Sequence, residues 1–312
     1  MLSLTLALCG GVFAESAPET IRAALPNPQE KATRVERAAE PAKEVAPAEL
    51  KLQPSRVALE KETLPGERLI YDIRVNGIPA GKAELEVRKV EKMGGEEGPL
   101  VWVVDYEVRS NRAVSLYYDV KIAGRTRIDV KGGFSRSFHV KRREGEVRGE
   151  EQIGFNYEIG NMHATYERAR YDKQDKEHPD GVMKQYQPIP LPGKVLDPLS
   201  ALYYIRSMDI KTLIEKGLPI CADRRVWNTK FKLSPKGASF EDVGKLKNRK
   251  CVAIEPQAEF KGLFERKGKM TIWLDEATRI PLKMTVEIPI GTADVELSEF
   301  YNSPLNEEPD KR

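Results

Sequence analysis

Histidine, cysteine and the common catalytic motifs are scarce in this chain. Its 312 residues include three cysteines and only three histidines, His139, His163 and His178. None of the histidines has a second histidine at the spacing of a helical zinc site. The chain also lacks a Cys-x-x-Cys pair and a Gly-x-Ser-x-Gly nucleophile elbow. We therefore expect a protein that is not an enzyme and that has no metal site and no cofactor.

An excess of charge of one sign is also missing. The 51 lysines and arginines nearly balance the 48 aspartates and glutamates, which leaves a net charge of +3. Nucleic-acid binding usually needs a clustered basic face, and interspersed charges are more typical of a solvated sheet surface. The sequence thus predicts no nucleic-acid partner.

The chain has no hydrophobic run long enough to span a bilayer as a helix. Residues 2–13 are apolar but too few, and Val12, Phe13 and Ala14 form an acceptable signal-peptidase site. We predict a signal peptide over residues 1–14 and a periplasmic location. The alternative is a lipoprotein anchored through Cys9, although Leu8 is bulky where a small residue is expected.

Residues 15–63 are rich in alanine, proline, glutamate and lysine and contain almost no aromatic residues. Such a segment cannot bury enough apolar surface to offset the entropy of ordering it. It is predicted to be a disordered linker. A single β-rich domain is expected over residues 64–303, followed by a flexible polar tail over residues 304–312.

The predicted domain alternates between apolar and polar residues over many short segments. Segments near residues 69–75, 83–87 and 100–108 have the two-residue period of half-buried strands, and Asn76-Gly77 is a strong hairpin turn. Similar segments separated by turns continue to residue 300. This succession predicts a mainly β fold, with a strongly curved antiparallel sheet or an open β-barrel.

One helix is expected inside this sheet, over about residues 197–207. Asp197 can cap the first turn, and Pro198 suits the first helical position. Leu199, Leu202, Tyr203 and Arg206 then follow at helical spacing, which predicts a buried stripe. The sheet is expected to wrap around this helix.

Four stretches of the chain, taken in their order along the sequence, resemble a bacterial exported family known as domain of unknown function family 3108. The resemblance implies an exported, β-rich domain and implies no reaction. The general shape of such a domain is similar to that of lipoprotein carriers, in which a curved sheet with a helix inside holds acyl chains. The stretches are residues 66–72 with 77–81, residues 197–204, residues 262–264 with 268–269, and residues 272–275 with 279–281.

The first functional hypothesis is a non-enzymatic exported protein that binds a hydrophobic ligand such as a lipid. The second is an interaction or assembly factor of the cell envelope that uses the sheet as a scaffold, and a cell-envelope hydrolase is the least favoured. Leu263 and Phe264, flanked by cationic residues at a predicted hairpin tip, suit a membrane surface, an acidic envelope partner, or a lid on the sheet. The candidate ligand-binding residues are Leu199, Leu202, Tyr203, Trp102, Leu263 and Phe264.

Cys221 and Cys251 remain after the signal peptide is removed. In an oxidising compartment they can form a disulfide, which would stabilise the fold by about 2–4 kcal/mol. The alternative is two separate buried thiols.

Overall fold

The folded part of the chain is seen in a computed structural model that describes residues 65–172, 182–243, 246–257, 270–288 and 291–306. The predicted signal peptide and linker lie outside the described residues. So do Leu263 and Phe264. Within the described ranges, no helix is long and apolar enough to cross a bilayer.

The described residues form one large antiparallel sheet with three short helices. The helices are α1 (Arg112–Ser115), α2 (Pro198–Ser207) and α3 (Ile210–Lys216). The strands are β1 (Arg68–Val75), β2 (Ile78–Lys92), β3 (Leu100–Ser110), β4 (Val120–Asp129), β5 (Ser135–Glu144), β6 (Val147–Asn156), β7 (His163–Asp172), β8 (Val182–Gln185), β9 (Ile189–Pro190), β10 (Leu218–Ala222), β11 (Arg225–Val243), β12 (Leu246–Gln257), β13 (Met270–Asp275), β14 (Pro281–Ile288) and β15 (Gly291–Tyr301).

The strands follow one another in the sheet almost in chain order. The path runs from β10 to β15, then from β1 to β8, and β9 pairs with β7 off this path. The step that is not sequential joins β15 to β1, so the two ends of the folded chain meet in the middle of the sheet. In the described residues, β10 and β8 are the two edges and do not pair with each other. The predicted meander of hairpins is confirmed as an open sheet.

The position of α2 shows that the sheet is strongly curved. This helix packs against both β10 and β4, which are nine strands apart in the sheet order. Nine strand spacings would span about 43 Å in a flat sheet, whereas a helix is only about 10–12 Å wide. The sheet must therefore curl around α2, which confirms the predicted mainly β fold wrapped around one helix.

The core lies between α2 and the face of the sheet that we call the inner face. Alternate residues of the strands, such as Val104 and Ile122, are buried there together with the side chains of α2. The opposite, outer face carries mostly charged residues. The expected hairpin at Asn76-Gly77 is present, and both residues have positive φ angles, 50° and 79°, which asparagine and glycine tolerate.

Three elements refine the sequence prediction. The segment after β3 begins with α1, a single helical turn that the Asn111 side chain caps. The helix α3 was not predicted, although Asp209 caps its N-terminus and Gly217 ends it. Pro304–Asn306 form a 3-10 turn that buries Leu305 in the core, so the tail predicted to be flexible from residue 304 is folded as far as Asn306.

Candidate functional site

The N-terminus of α2 is held by a buried network of polar groups. Asp197 Oδ1 accepts hydrogen bonds from the backbone N–H groups of Leu199 and Ser200 at 2.8 and 3.0 Å. Its Oδ2 accepts hydrogen bonds from the hydroxyls of Thr126 and Ser135, both at 2.6 Å. Burial raises the pKa of the Asp197 carboxyl, and these four donors oppose that rise. The predicted helix cap is confirmed, and it also fixes α2 to β4 and β5.

The C-terminal half of α2 carries a buried ion pair. The Arg206 guanidinium donates to both carboxylate oxygens of Glu67, at 2.6 and 3.0 Å. The two side chains are 2% and 0% exposed. Ser303 Oγ donates a further hydrogen bond to Glu67 at 3.1 Å. The sequence placed Arg206 on the buried stripe but did not identify Glu67 as its partner, because the two residues are 139 positions apart.

The four candidate residues that the structure describes are all core residues. Leu199, Leu202 and Tyr203 of α2 and Trp102 of β3 belong to the same buried cluster. The Tyr203 ring lies against the Arg206 guanidinium, with 5.3 Å between the guanidinium carbon and the ring centroid. The Tyr203 hydroxyl has no hydrogen-bond partner in the part of the chain that the structure describes. Burial raises the pKa of this hydroxyl well above its ordinary value.

A groove of about 360 Å³ is open to solvent on the outer face of the sheet. Ala123 on β4 lies there between Glu107 of β3 and Lys141 of β5 in the strand register, and its small side chain leaves a depression between these longer ones. The other acidic and basic residues that line the groove come from four strands, β2 to β5: Glu84, Glu86, Arg88, Asp105, Arg125 and His139. The groove therefore offers groups of both charges to a polar partner.

Ion pairs hold the groove side chains in place. The Arg125 guanidinium donates to both carboxylate oxygens of Asp105, at 2.6 and 2.9 Å, and Arg88 Nε donates to the same carboxylate at 3.2 Å. Partial burial alone would raise the pKa of Asp105, but the two guanidinium groups outweigh it and hold the pKa below its ordinary value. This carboxylate is therefore charged throughout the physiological pH range and serves to position the two arginines.

The groove also brings one histidine close to carboxylates, which the sequence did not predict. His139 Nε2 is hydrogen bonded to Glu150 Oε1 at 2.7 Å, and Lys141 Nζ lies 3.2 Å from the same oxygen. Among the described residues that line the groove, there is no serine, threonine or cysteine to act as a nucleophile. In the same ranges no group of three or more histidine, cysteine, aspartate or glutamate side chains is placed to hold a metal ion. The arrangement is suited to recognition of polar groups.

The model for the family described as "Protein of unknown function (DUF3108)" matches residues 70–298, most of the folded part of the chain. The chain belongs to the DUF3108 family. The family resemblance noted in the sequence is thus confirmed.

Solved structures similar to this DUF3108 domain have low sequence identity to it. A beta-barrel-like protein of domain of unknown function DUF1849 from Brucella abortus is 13% identical, with a TM-score of 0.42, and the match covers 76% of this chain and 98% of that one. A putative exported protein with a YmcC-like fold from Bacteroides fragilis is 8% identical, with a TM-score of 0.30 and coverage of 77% and 97%. No curated protein matches the chain.

Three of the four stretches that carry the DUF3108 resemblance contain a buried acid whose role is structural. Glu67 and Asp197 are the two acids that fix α2. The third is Asp275, which accepts hydrogen bonds from Arg249 Nε at 2.9 Å and from Thr278 Oγ1 at 2.8 Å. All three are almost inaccessible to solvent. These three buried acids thus stabilise the fold, and the fourth stretch lies outside the described residues.

The two cysteines of the domain are separate thiols in this structure. Cys221 on β10 and Cys251 on β12 are both buried and are not joined by a disulfide. Burial raises the pKa of the Cys221 thiol to about 12. Because the thiolate is the reactive form, such a thiol is inert at neutral pH. The predicted alternative of a disulfide between Cys221 and Cys251 is not what the structure contains.

Proposed function

We propose that this DUF3108 protein is a non-enzymatic interaction protein of the periplasm whose binding surface is the outer face of its sheet. The observation that carries this proposal is the contrast between the two faces. The buried acids and the aromatic residues around α2 are engaged in packing, hydrogen bonds and an ion pair. The outer groove, in contrast, presents ordered charged side chains to solvent. A folded partner with a polar surface, such as another envelope protein, suits such a groove.

Filling the groove should abolish partner binding without affecting the fold. Ala123→Phe places a ring between Glu107 and Lys141, and it should change the free energy of unfolding by no more than about 0.5 kcal/mol. Gly154→Phe is the matched control, because Gly154 is exposed on the outer face of β6 and a new side chain there meets open space. Both variants and the parent chain would be crosslinked in periplasmic extract and their captured proteins quantified by mass spectrometry.

We expect a partner that the parent chain and Gly154→Phe capture equally and that Ala123→Phe loses. Capture of the same proteins in the same amounts by all three chains would show that the groove is not the binding surface. Loss of capture by both variants would indicate a general effect of bulk on the outer face and would also count against the proposal.

A carrier of a hydrophobic ligand is the second candidate, and one observation favours it. The Tyr203 hydroxyl is a buried polar group with no partner among the described residues, beside a helix enclosed by a curved sheet. A ligand headgroup would supply such a partner. Native mass spectrometry of protein purified from periplasm, followed by lipid extraction, decides between the two candidates. The interaction protein should have the mass of the chain alone, and a stoichiometric lipid would make the carrier function the correct one.

A further inference from the structure

Five cationic side chains lie side by side across the outer face of the sheet. In the strand register, Lys82 on β2 is opposite Arg109 on β3, which is opposite Lys121 on β4, and the row continues to Arg143 on β5 and Arg148 on β6. All five are exposed. We call this row the cationic rim. It runs across the strands at the end of the sheet where β3 and β5 end and β4 and β6 begin. Like charges directly opposite each other destabilise a sheet, so a row of five suggests a binding role.

Acidic neighbours neutralise only part of the cationic rim. Within the described residues, Lys121 and Arg148 have no carboxylate within ion-pair distance. Glu146 is a further acid near the same end of the sheet. The other three cations have partners that are themselves partly exposed: Asp72 and Glu299 for Lys82, Glu107 for Arg109, and Asp119 for Arg143. Because exposed ion pairs of this kind contribute little, the rim remains available to an external anion.

Exposed apolar side chains lie at the same end of the sheet as the cationic rim. Leu116 and Tyr117, between α1 and β4, are 78% and 75% exposed, and Ile78 at the start of β2 is 67% exposed. We call these three residues the apolar tip. The backbone around them is well anchored, since the Asn111 side chain caps α1 and donates to the Pro79 carbonyl at 2.6 Å. The fold therefore holds large apolar groups in solvent, which is typical of a docking surface.

We propose that the cationic rim and the apolar tip together dock the protein on an anionic lipid bilayer. Cations near an anionic membrane each contribute about 1 kcal/mol, and exposed leucine and tyrosine side chains insert at the boundary between headgroups and acyl chains. An acidic protein or polysaccharide would use the charges but would have no need of the apolar tip. The inference rests on the proposed function, in that the outer face is the binding surface, and it adds a lipid surface as a partner.

The test is binding of the full chain to vesicles, measured by co-sedimentation. One vesicle type contains phosphatidylcholine alone, and the other contains phosphatidylcholine and phosphatidylglycerol in equal amounts. The chain should bind only the anionic vesicles, and salt at about 1 M should abolish binding, because charges are then screened within about 3 Å. The apolar N-terminal run is common to all variants, so the differences between variants report on the folded domain.

Two pairs of substitutions separate the contributions of charge and apolar surface. Lys121→Gln with Arg148→Gln should weaken binding about thirtyfold, since each cation is worth about 1 kcal/mol. The matched control is Lys92→Gln with Lys131→Gln, two exposed lysines at the opposite end of the sheet, which should leave affinity unchanged.

For the apolar tip, Leu116→Ser with Tyr117→Ser should weaken binding about tenfold, because the two side chains would bury less apolar surface in the bilayer. Ile159→Ser is the control, because Ile159 is 98% exposed in the β6–β7 loop at the opposite end of the sheet. This control should bind like the parent chain.

Three results would overturn the inference. They are equal binding to both vesicle types, equal loss in the Lys92 and Lys131 control, and full binding by the Leu116 and Tyr117 variant, which would show that the apolar tip does not insert into the bilayer. If the chain binds no vesicle while Ala123→Phe still abolishes capture of an envelope protein, the proposed function stands and this inference is wrong.

Discussion

Arg206→Met is expected to lower the free energy of unfolding by about 3–5 kcal/mol, because it leaves the Glu67 carboxylate charged and buried without its counter-ion. Arg206 donates two of the three hydrogen bonds that the structure gives to this carboxylate, and Ser303 donates the third. The same substitution detaches α2 from Glu67, which precedes β1, whereas the segment after β15 stays bonded to Glu67 through Ser303. Urea unfolding followed by tryptophan fluorescence measures the loss.

Arg68, which follows Glu67 in the chain, is the matched control for Arg206. Arg68 forms a two-point ion pair with Glu84, as Arg206 does with Glu67, but its side chain is 44% exposed. Exposed pairs contribute about 0.2–1 kcal/mol, so Arg68→Met should change the unfolding midpoint only slightly. Equal effects of Arg68→Met and Arg206→Met would show that water reaches the Arg206 pair.

A double substitution shows how the pair acts. Glu67→Leu alone should be as destabilising as Arg206→Met, because it leaves the guanidinium buried without its carboxylate. Glu67→Leu combined with Arg206→Met should cost clearly less than the sum of the two single changes, since no unpaired charge remains. Additive losses would mean that each side chain acts through packing alone.

The sequence predicted the parts of this fold that depend on local chemistry. Asp197 and Pro198 marked the start of α2, and Asn76-Gly77 marked the first hairpin, because a cap and a turn depend on a few adjacent residues. The two-residue alternation predicted the strands for the same reason. The family resemblance supplied the order of these parts. The missed helix α3 also had a local signal, from Asp209 to Gly217.

Features that depend on distant residues were not accessible from the sequence. The pairing of β1 with β15 joins segments from the two ends of the domain, and it is this pairing that brings Glu67 close to Ser303. The cationic rim is a further example, since residues 82, 109, 121, 143 and 148 have no regular spacing. Only the strand register shows that they share one level and one face.

The outer groove could not be predicted because its shape depends on a small residue between longer neighbours on other strands. Ala123 by itself is an unremarkable strand residue, and His139 has no second histidine or glutamate at helical spacing in the sequence. The structure places both in one groove, together with charged residues from β2 and β3. The sequence predicted a candidate site in the interior of the sheet, whereas the groove in the structure lies on the outer face.

Four buried tyrosines are expected to make the protein unstable at alkaline pH. Burial raises the pKa of Tyr71, Tyr166, Tyr203 and Tyr204 above the ordinary value of 10.0, and that of Tyr204 to about 12. Above pH 10 the unfolded chain loses these protons while the folded chain keeps them. The unfolded state then binds fewer protons, so the free energy of unfolding falls as pH rises. The slope is about 1.4 kcal/mol per pH unit for each tyrosine, or about 5 kcal/mol for all four.

Urea unfolding at a series of pH values from about 8 to 11 measures this slope, and phenolate absorbance shows whether the tyrosines ionise only as the chain unfolds. Tyr203→Phe is the informative variant. Because its hydroxyl has no partner among the described residues, removing it should leave the stability at neutral pH unchanged or raise it by about 1 kcal/mol. It should also reduce the alkaline slope by about 1.4 kcal/mol per pH unit, the contribution of one tyrosine. An unchanged slope would mean that Tyr203 ionises in the folded chain. Water would then reach α2, which would favour a ligand cavity inside the sheet over a binding surface on its outer face.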